Sequence, residues 1–144
     1  MSESSLDLNA LHSAIGSLSG GLEVVNNAAW FTMQPPMVRN TLIAGVIQNF
    51  EFVYEISVKM IRRRMELDAL SPEEVDAANF RELLRSAGEK GLIADVEAWF
   101  KYRRMRKMTS HTYDQSKADE IFRGIGAFLT DARLLLTRLE ARNV

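Results

Sequence analysis

The sequence predicts an all-α protein, an up-and-down bundle of about five helices. Three observations predict it. Apolar residues recur at steps of three and four over long stretches, which is the spacing of one buried helical stripe. Helix-start signals punctuate the chain at Ser71, Asn79, Asp95 and Asp114. Nothing alternates with a period of two for long enough to make a strand. At 144 residues the chain is expected to form one domain, 1–144, large enough for a core but not for two.

The elements follow in order. Leu8, Leu11, Ile15, Leu18, Leu22, Val25 and Ala29 make the stripe of a first helix. Pro35-Pro36 ends the connection and opens a second helix, because proline is tolerated in a first turn. That helix runs from about Pro36 to Leu67 and is apolar on two sides. Leu42, Val46, Val53, Ile56 and Met60 form one side; Ile43, Ile47, Phe50, Tyr54 and Ile61 form the other. Such a helix sits centrally or faces a second subunit. Gln48, Glu51, Glu55, Lys59 and Arg62 run between the two sides as a polar stripe.

Ser71-Pro72-Glu73-Glu74 reads as a hydroxyl N-cap with proline at the first helical position. Asn79 is expected to cap a short helix through Arg85, with Gly88 and Gly91 as its stop. Asp95 caps a fourth helix, "VEAWFKYRRMRKMTSHT". Asp114 or Ser116 caps a fifth, whose stripe is Ala118, Ile121, Ile125, Phe128, Ala132, Leu135 and Leu139.

Composition narrows the function classes. Hydrophobic residues make up 47% and charged residues 26%, ordinary values for a soluble globular protein. No apolar run approaches the roughly 20 residues of a membrane span, and "MSESSLDLNA" has no signal-peptide character. Zero cysteines exclude disulfides and thiolate metal sites and suit a cytoplasmic protein. His12 reads as solvated, and two distant histidines without cysteine make no zinc site, so no metal is expected. The net charge of −1 hides two basic clusters. Lys59, Arg62, Arg63 and Arg64 form one; Lys101, Arg103, Arg104, Arg106 and Lys107 form the other. Local clusters on a near-neutral chain point to a local anionic partner.

Directly behind the second cluster runs "RKMTSHTYD", Arg106 to Asp114. Arg106 and Tyr113 are seven apart, so a continuing helix would place them on one face with Trp99, Arg103 and Ser110. His111 lies roughly 140° around such a helix from Arg106. The two converge only if the helix loosens, or if a groove or a second subunit brings them together. The plain alternative is a solvated or capping histidine behind a wet charged face.

The stretch resembles the R-x4-H-x-Y motif of HEPN-domain proteins, in the branch described as nucleotidyltransferase substrate-binding proteins. The likeness extends over about residues 6 to 140. "LDLNALHSAIGSLSGGLE" is similar to the first helix of that branch, and "VIQNFEFVYEISVKMI" to its second helix with paired glutamates. "SPEEV" and "RSAGEKGLIADVEAWF" resemble the connection into the motif helix. One departure is Lys107, where the family usually carries a small polar residue, often asparagine.

The resemblance implies a helical homodimer whose two motif regions line a shared cleft. It also implies a partner, a small nucleotidyltransferase of the minimal MNT type. Two functions are attached to the branch. One is a toxin, a metal-independent endoribonuclease silenced when the transferase adenylylates the motif tyrosine. The other is a non-catalytic subunit presenting a nucleotide or another substrate to the transferase. This chain has neither a P-loop nor the paired-aspartate signature of a transferase, and no cofactor is implied.

The residues fit ribonuclease chemistry. Cutting RNA without a metal needs a base for the 2′-hydroxyl proton, and histidine suits that task near neutral pH. His111 would be that base. Arg106 would hold phosphate oxygens through its fork. Arg103, Arg104 and Lys107, with Ser110, would extend the track for RNA or a nucleotide. Trp99 and Tyr102 offer either stacking surfaces or core, the latter being the commoner use. Tyr113 would be the modification site. Glu51 and Glu55, which in the family point toward the motif helix, would orient Arg106 or His111; alternatively Glu55 pairs with Lys59 on the surface.

Overall fold

The computed structural model describes residues 5–143; residues 1–4 of the N-terminal segment, and residue 144, lie outside the described residues. Seven helices follow one another among them: α1 (Asn9–Asn26), α2 (Ala28–Phe31), α3 (Pro36–Asp68), α4 (Pro72–Ala77), α5 (Phe80–Glu89), α6 (Val96–Met108) and α7 (Gln115–Arg142). A 3-10 turn, Thr109–His111, joins α6 toward α7. The five elements expected from periodicity are present; α4 is the short helix started at Ser71-Pro72, and α2 is an addition in a connection.

α1 buries Leu11, Ile15, Leu18, Leu22 and Val25. Its expected stripe loses both ends: Leu8 stands before the helix, and Ala29 is exposed in α2. The break is at Asn27, whose side chain accepts from the Trp30 N–H at 3.4 Å and starts a new turn. α3 begins with Pro36 and packs along α1 and α7. Both of its apolar sides are covered within the protomer. Val46, Val53 and Met60 are buried on one side, and Ile47, Phe50, Tyr54 and Ile61 on the other. The central placement therefore holds for these residues, while Leu42, Ile43 and Ile56 of the two stripes are only half-buried.

Ser71 makes no capping bond to the backbone; its hydroxyl donates instead to Glu73 at 3.1 Å. Asn79 does cap α5, accepting from the Glu82 N–H at 2.9 Å and donating to the Glu82 carboxylate at 2.9 Å. α5 runs past Arg85 to Glu89 because Gly88 continues the helix. Gly91, at φ 75°, ends the segment in the left-handed region that glycine adopts without strain.

Asp95 caps α6 through the Ala98 N–H at 3.1 Å. Asp114, not Ser116, caps α7, accepting from the Ser116 N–H at 3.0 Å and hydroxyl at 2.8 Å. Those donors hold its carboxyl below the usual carboxylate range. All seven residues of the α7 stripe are buried. α7 approaches α6 closely at Gly124, where an added Cβ would stand 2.7 Å from the Met105 sulfur.

Phe128 of α7 joins α3, α6 and α7. Its ring stands edge-on to Phe50 at 4.8 Å, Tyr102 at 5.0 Å and Trp99 at 5.9 Å. Trp99 and Tyr102 are thereby core residues, 1% and 2% exposed, and not stacking platforms for RNA. The Tyr102 hydroxyl donates to Asp131, and burial with that carboxylate raises its pKa. At the other end of α3, Arg64 is buried against Asp68 at 2.9 Å and donates to the Arg142 carbonyl at 3.5 Å. Among the described residues no helix is long and apolar enough to cross a membrane.

Candidate functional site

The site forms where α6 runs out beside the middle of α3. A helix ending at Met108 and tightening into a 3-10 turn changes the angular step per residue. Arg106 therefore faces α3, while His111 and Tyr113 project from the turn. Arg106 Nε donates to Glu55 Oε1 at 3.0 Å and its Nη2 to the same oxygen at 2.5 Å. Its Nη1 stands 3.5 Å from Glu51 Oε2 and donates to Thr109 Oγ1 at 3.0 Å. The four-residue spacing of Glu51 and Glu55 thus presents both carboxylates to one guanidinium. No Glu55–Lys59 ion pair is present among the described residues.

Arg106 is about one-third exposed, so its ion pairs contribute up to roughly 1 kcal/mol of stability; their main effect is to fix the direction of the fork. Thr109, which periodicity and motif spacing do not single out, is nine-tenths buried and closes the arrangement by donating to the Arg106 carbonyl at 2.6 Å. The one signal for it in the sequence is a hydroxyl three residues after the arginine at a helix end. Tyr54 lies beneath the network. Burial pushes its phenol up to about 12, against the opposing pull of the Arg103 and Arg106 charges.

His111 and Tyr113 pair with each other. His111 Nδ1 stands 3.2 Å from the Tyr113 hydroxyl, with the rings nearly perpendicular at 5.8 Å. Both are exposed, Tyr113 at 83%. Among the described residues no hydrogen bond joins either of them to Arg106. The motif is split into an arginine held by carboxylates and an accessible His–Tyr pair.

The surrounding cations divide in the same way. Arg104 and Lys107 are exposed, and Ser110 is exposed with its hydroxyl donating to the Lys107 carbonyl at 3.2 Å. Arg103 is half-buried and stacks over the Phe80 ring at 4.3 Å, a contact that ties α6 to α5. The other basic cluster is largely structural. Arg64 is buried, and Arg62 donates to the Val75 carbonyl at 3.2 Å, leaving Lys59 and Arg63 exposed. Two of its four cations are thus left on the surface. His12 is exposed on α1. Among the described residues, no group of three or more His, Asp or Glu side chains is arranged to hold a metal ion.

A helical bundle carrying R-x4-H-x-Y at the end of one helix, with two glutamates of another on the arginine, defines a HEPN-like nucleotidyltransferase substrate-binding domain. The chain belongs to the family described as nucleotidyltransferase substrate binding protein like, whose profile matches residues 6–141. It is 46% identical over 138 residues to a Haemophilus influenzae protein named probable ribonuclease HepT, covering 96% of this chain and 94% of that one. It is also similar to a solved Haemophilus influenzae structure, described as revealing the fold of a substrate-binding domain of a nucleotidyltransferase. That likeness has a TM-score of 0.91 and 45% identity, and covers 93% of this chain and 99% of the other.

Proposed function

We infer that this chain is a metal-independent endoribonuclease, the toxin half of a pair with a small MNT-type nucleotidyltransferase. The observation that carries the reading is the accessible His111–Tyr113 pair on the turn that follows an arginine of fixed direction. His111 takes the 2′-hydroxyl proton, and the 2′-oxygen attacks the adjacent phosphorus. The P–O5′ bond breaks, a 2′,3′-cyclic phosphate forms, and the leaving 5′-oxygen takes a proton from water. Arg106 stabilises the charge gathering on the phosphoryl oxygens. Arg104 and Lys107 guide the RNA backbone, with Arg103 and Ser110 behind them. Glu51 and Glu55 orient Arg106. The name of the Haemophilus influenzae relative supports this assignment.

Tyr113 is the control point. Its exposed hydroxyl can attack the α-phosphorus of ATP in the partner's active site, with pyrophosphate leaving. The added AMP places phosphate charge and bulk on the group that hydrogen-bonds His111. Incubation with the partner and ATP is expected to raise the intact mass by one or more AMP units, mapped to Tyr113. Tyr113→Phe keeps the fold and escapes neutralisation by modification. AMP mapped elsewhere, or none, removes this role.

A second reading is a non-catalytic subunit that presents a nucleotide to the transferase. It is favoured by the engagement of the Arg106 fork with Glu55, Glu51 and Thr109, and by the description of the solved relative. Expressing the chain with and without a small MNT-type transferase separates the two. Growth arrest relieved by the transferase supports the toxin; no arrest in either case supports the binding subunit.

The working unit is a homodimer in this reading. Its support is the separation of Arg106 from His111 within one protomer, which a second motif across a shared cleft would complete. Light scattering is expected to give twice the monomer mass at micromolar concentration. A monomer there would rule the shared cleft out.

A further inference from the structure

A cavity of about 300 Å³ opens between α3 and the segment from Thr109 to the start of α7. One face of α3 supplies Asn40, Ile43, Ala44, Ile47 and Glu51. The opposite wall is Thr109 and Thr112 of the turn, with Gln115 and Ala118 of α7. Its volume is at the lower end of small-ligand sites, which begin at roughly 300 Å³. Its chemistry is selective. Isoleucine and alanine side chains form an apolar floor suited to a flat ring, and two amides and two hydroxyls surround it.

The only charged group in the lining is the Glu51 carboxylate. A phosphate would be repelled here, whereas paired N–H donors would be accepted. Glu51 stands 3.5 Å from Arg106 at its nearest oxygen, and no hydrogen bond joins the two among the described residues, so its carboxylate keeps lone pairs for a ligand. The Gln115 amide nitrogen is committed to Asp119 at 2.8 Å, which leaves its oxygen as a second acceptor. Among the nucleobases, guanine alone carries two adjacent donors, N1–H and N2–H2, on its Watson–Crick edge. Sequence-specific RNA recognition works on splayed bases read at that edge.

We propose that this cavity is a specificity subsite for guanine, holding one base of the RNA next to the phosphate handled by Arg106. Glu51 accepts from N1–H and N2–H2, Asn40 meets the remaining edge, and the ring lies on Ile43 and Ile47. The assignment rests on the ribonuclease reading for its role in cleavage, but the binding itself does not.

The test therefore has two arms. The first measures binding of GMP, AMP, CMP and UMP to the full chain by ligand-observed NMR; all four carry the same phosphate, so a difference reports the base. GMP is expected to bind about tenfold more tightly than the others, the size of one good bidentate base contact. Ala44→Phe, at an exposed helical position that can fill the cavity, removes the difference, and Asn40→Ala reduces it. The second arm maps cleavage sites in a randomised RNA pool. Guanine is expected to be enriched at one position beside the cut, and Ala44→Phe to abolish the enrichment. GMP preference without any cleavage would keep the subsite and remove the ribonuclease. Equal binding of the four nucleotides overturns the subsite, as does cleavage without guanine enrichment or enrichment that survives Ala44→Phe. A cavity covered by a second copy of the chain would give equal, weak binding, and that result overturns the subsite as well.

Discussion

His111→Ala is expected to lower RNA cleavage by about 10²–10⁴-fold, the usual contribution of a positioned general base. The substitution is made at an exposed side chain on a turn, so the helical fold and its unfolding midpoint should be unchanged. Chelator should leave the parent activity intact, since no step in the proposed chemistry passes through a metal. Lys107→Asn, restoring the residue that the family pattern usually carries, should keep or raise activity in the same assay. Cleavage that survives His111→Ala, or that disappears in chelator, would show that another group takes the 2′-hydroxyl proton.

Phe128→Ala is expected to cost about 3–5 kcal/mol of stability, because it empties the centre of the aromatic cluster shared by three helices. For a domain of this size that lowers the unfolding midpoint by roughly 10 °C or more. The effect should reach the site. Phe128 supports Tyr54 at 6.5 Å, and Tyr54 sits on α3 between Glu51 and Glu55. Urea unfolding measures the loss directly; a change below about 1 kcal/mol would mean that the neighbouring rings collapse into the space.

The helices were largely legible because periodicity is a property of local sequence. The α7 stripe is buried at every expected position, and the Asp95, Asn79 and Asp114 caps stand where a short polar side chain precedes an apolar run. What periodicity cannot say is what covers a face. Ile43, Ile47, Phe50 and Tyr54 read as a possible subunit contact; the protomer itself buries the last three, and Ile43 stays half-exposed. Asn27 broke α1 because its side chain competed for the backbone, a contest that apolar spacing does not record.

The site was legible in its residues and not in its pairings. Glu51 and Glu55 share a face by spacing alone, but the arginine they hold is 51 positions from Glu55 in the chain. Arg64 looked like one more member of a basic cluster. Its burial depends on Asp68 one turn later and on the chain's far end, which no local pattern reveals.

The carboxylate grip on Arg106 has a consequence for how an anion arrives. Taken together, Arg106, Glu51 and Glu55 sum to one negative charge, so the motif arginine exerts no net pull at a distance. Long-range attraction falls to exposed Arg104 and Lys107, whose fields reach roughly 8–10 Å before salt screens them. In the ribonuclease reading, a phosphate would exchange places with a carboxylate oxygen on the guanidinium only on contact. Capture and grip thus belong to different side chains: added salt slows the first, while the second remains a local swap between two anions for one fork.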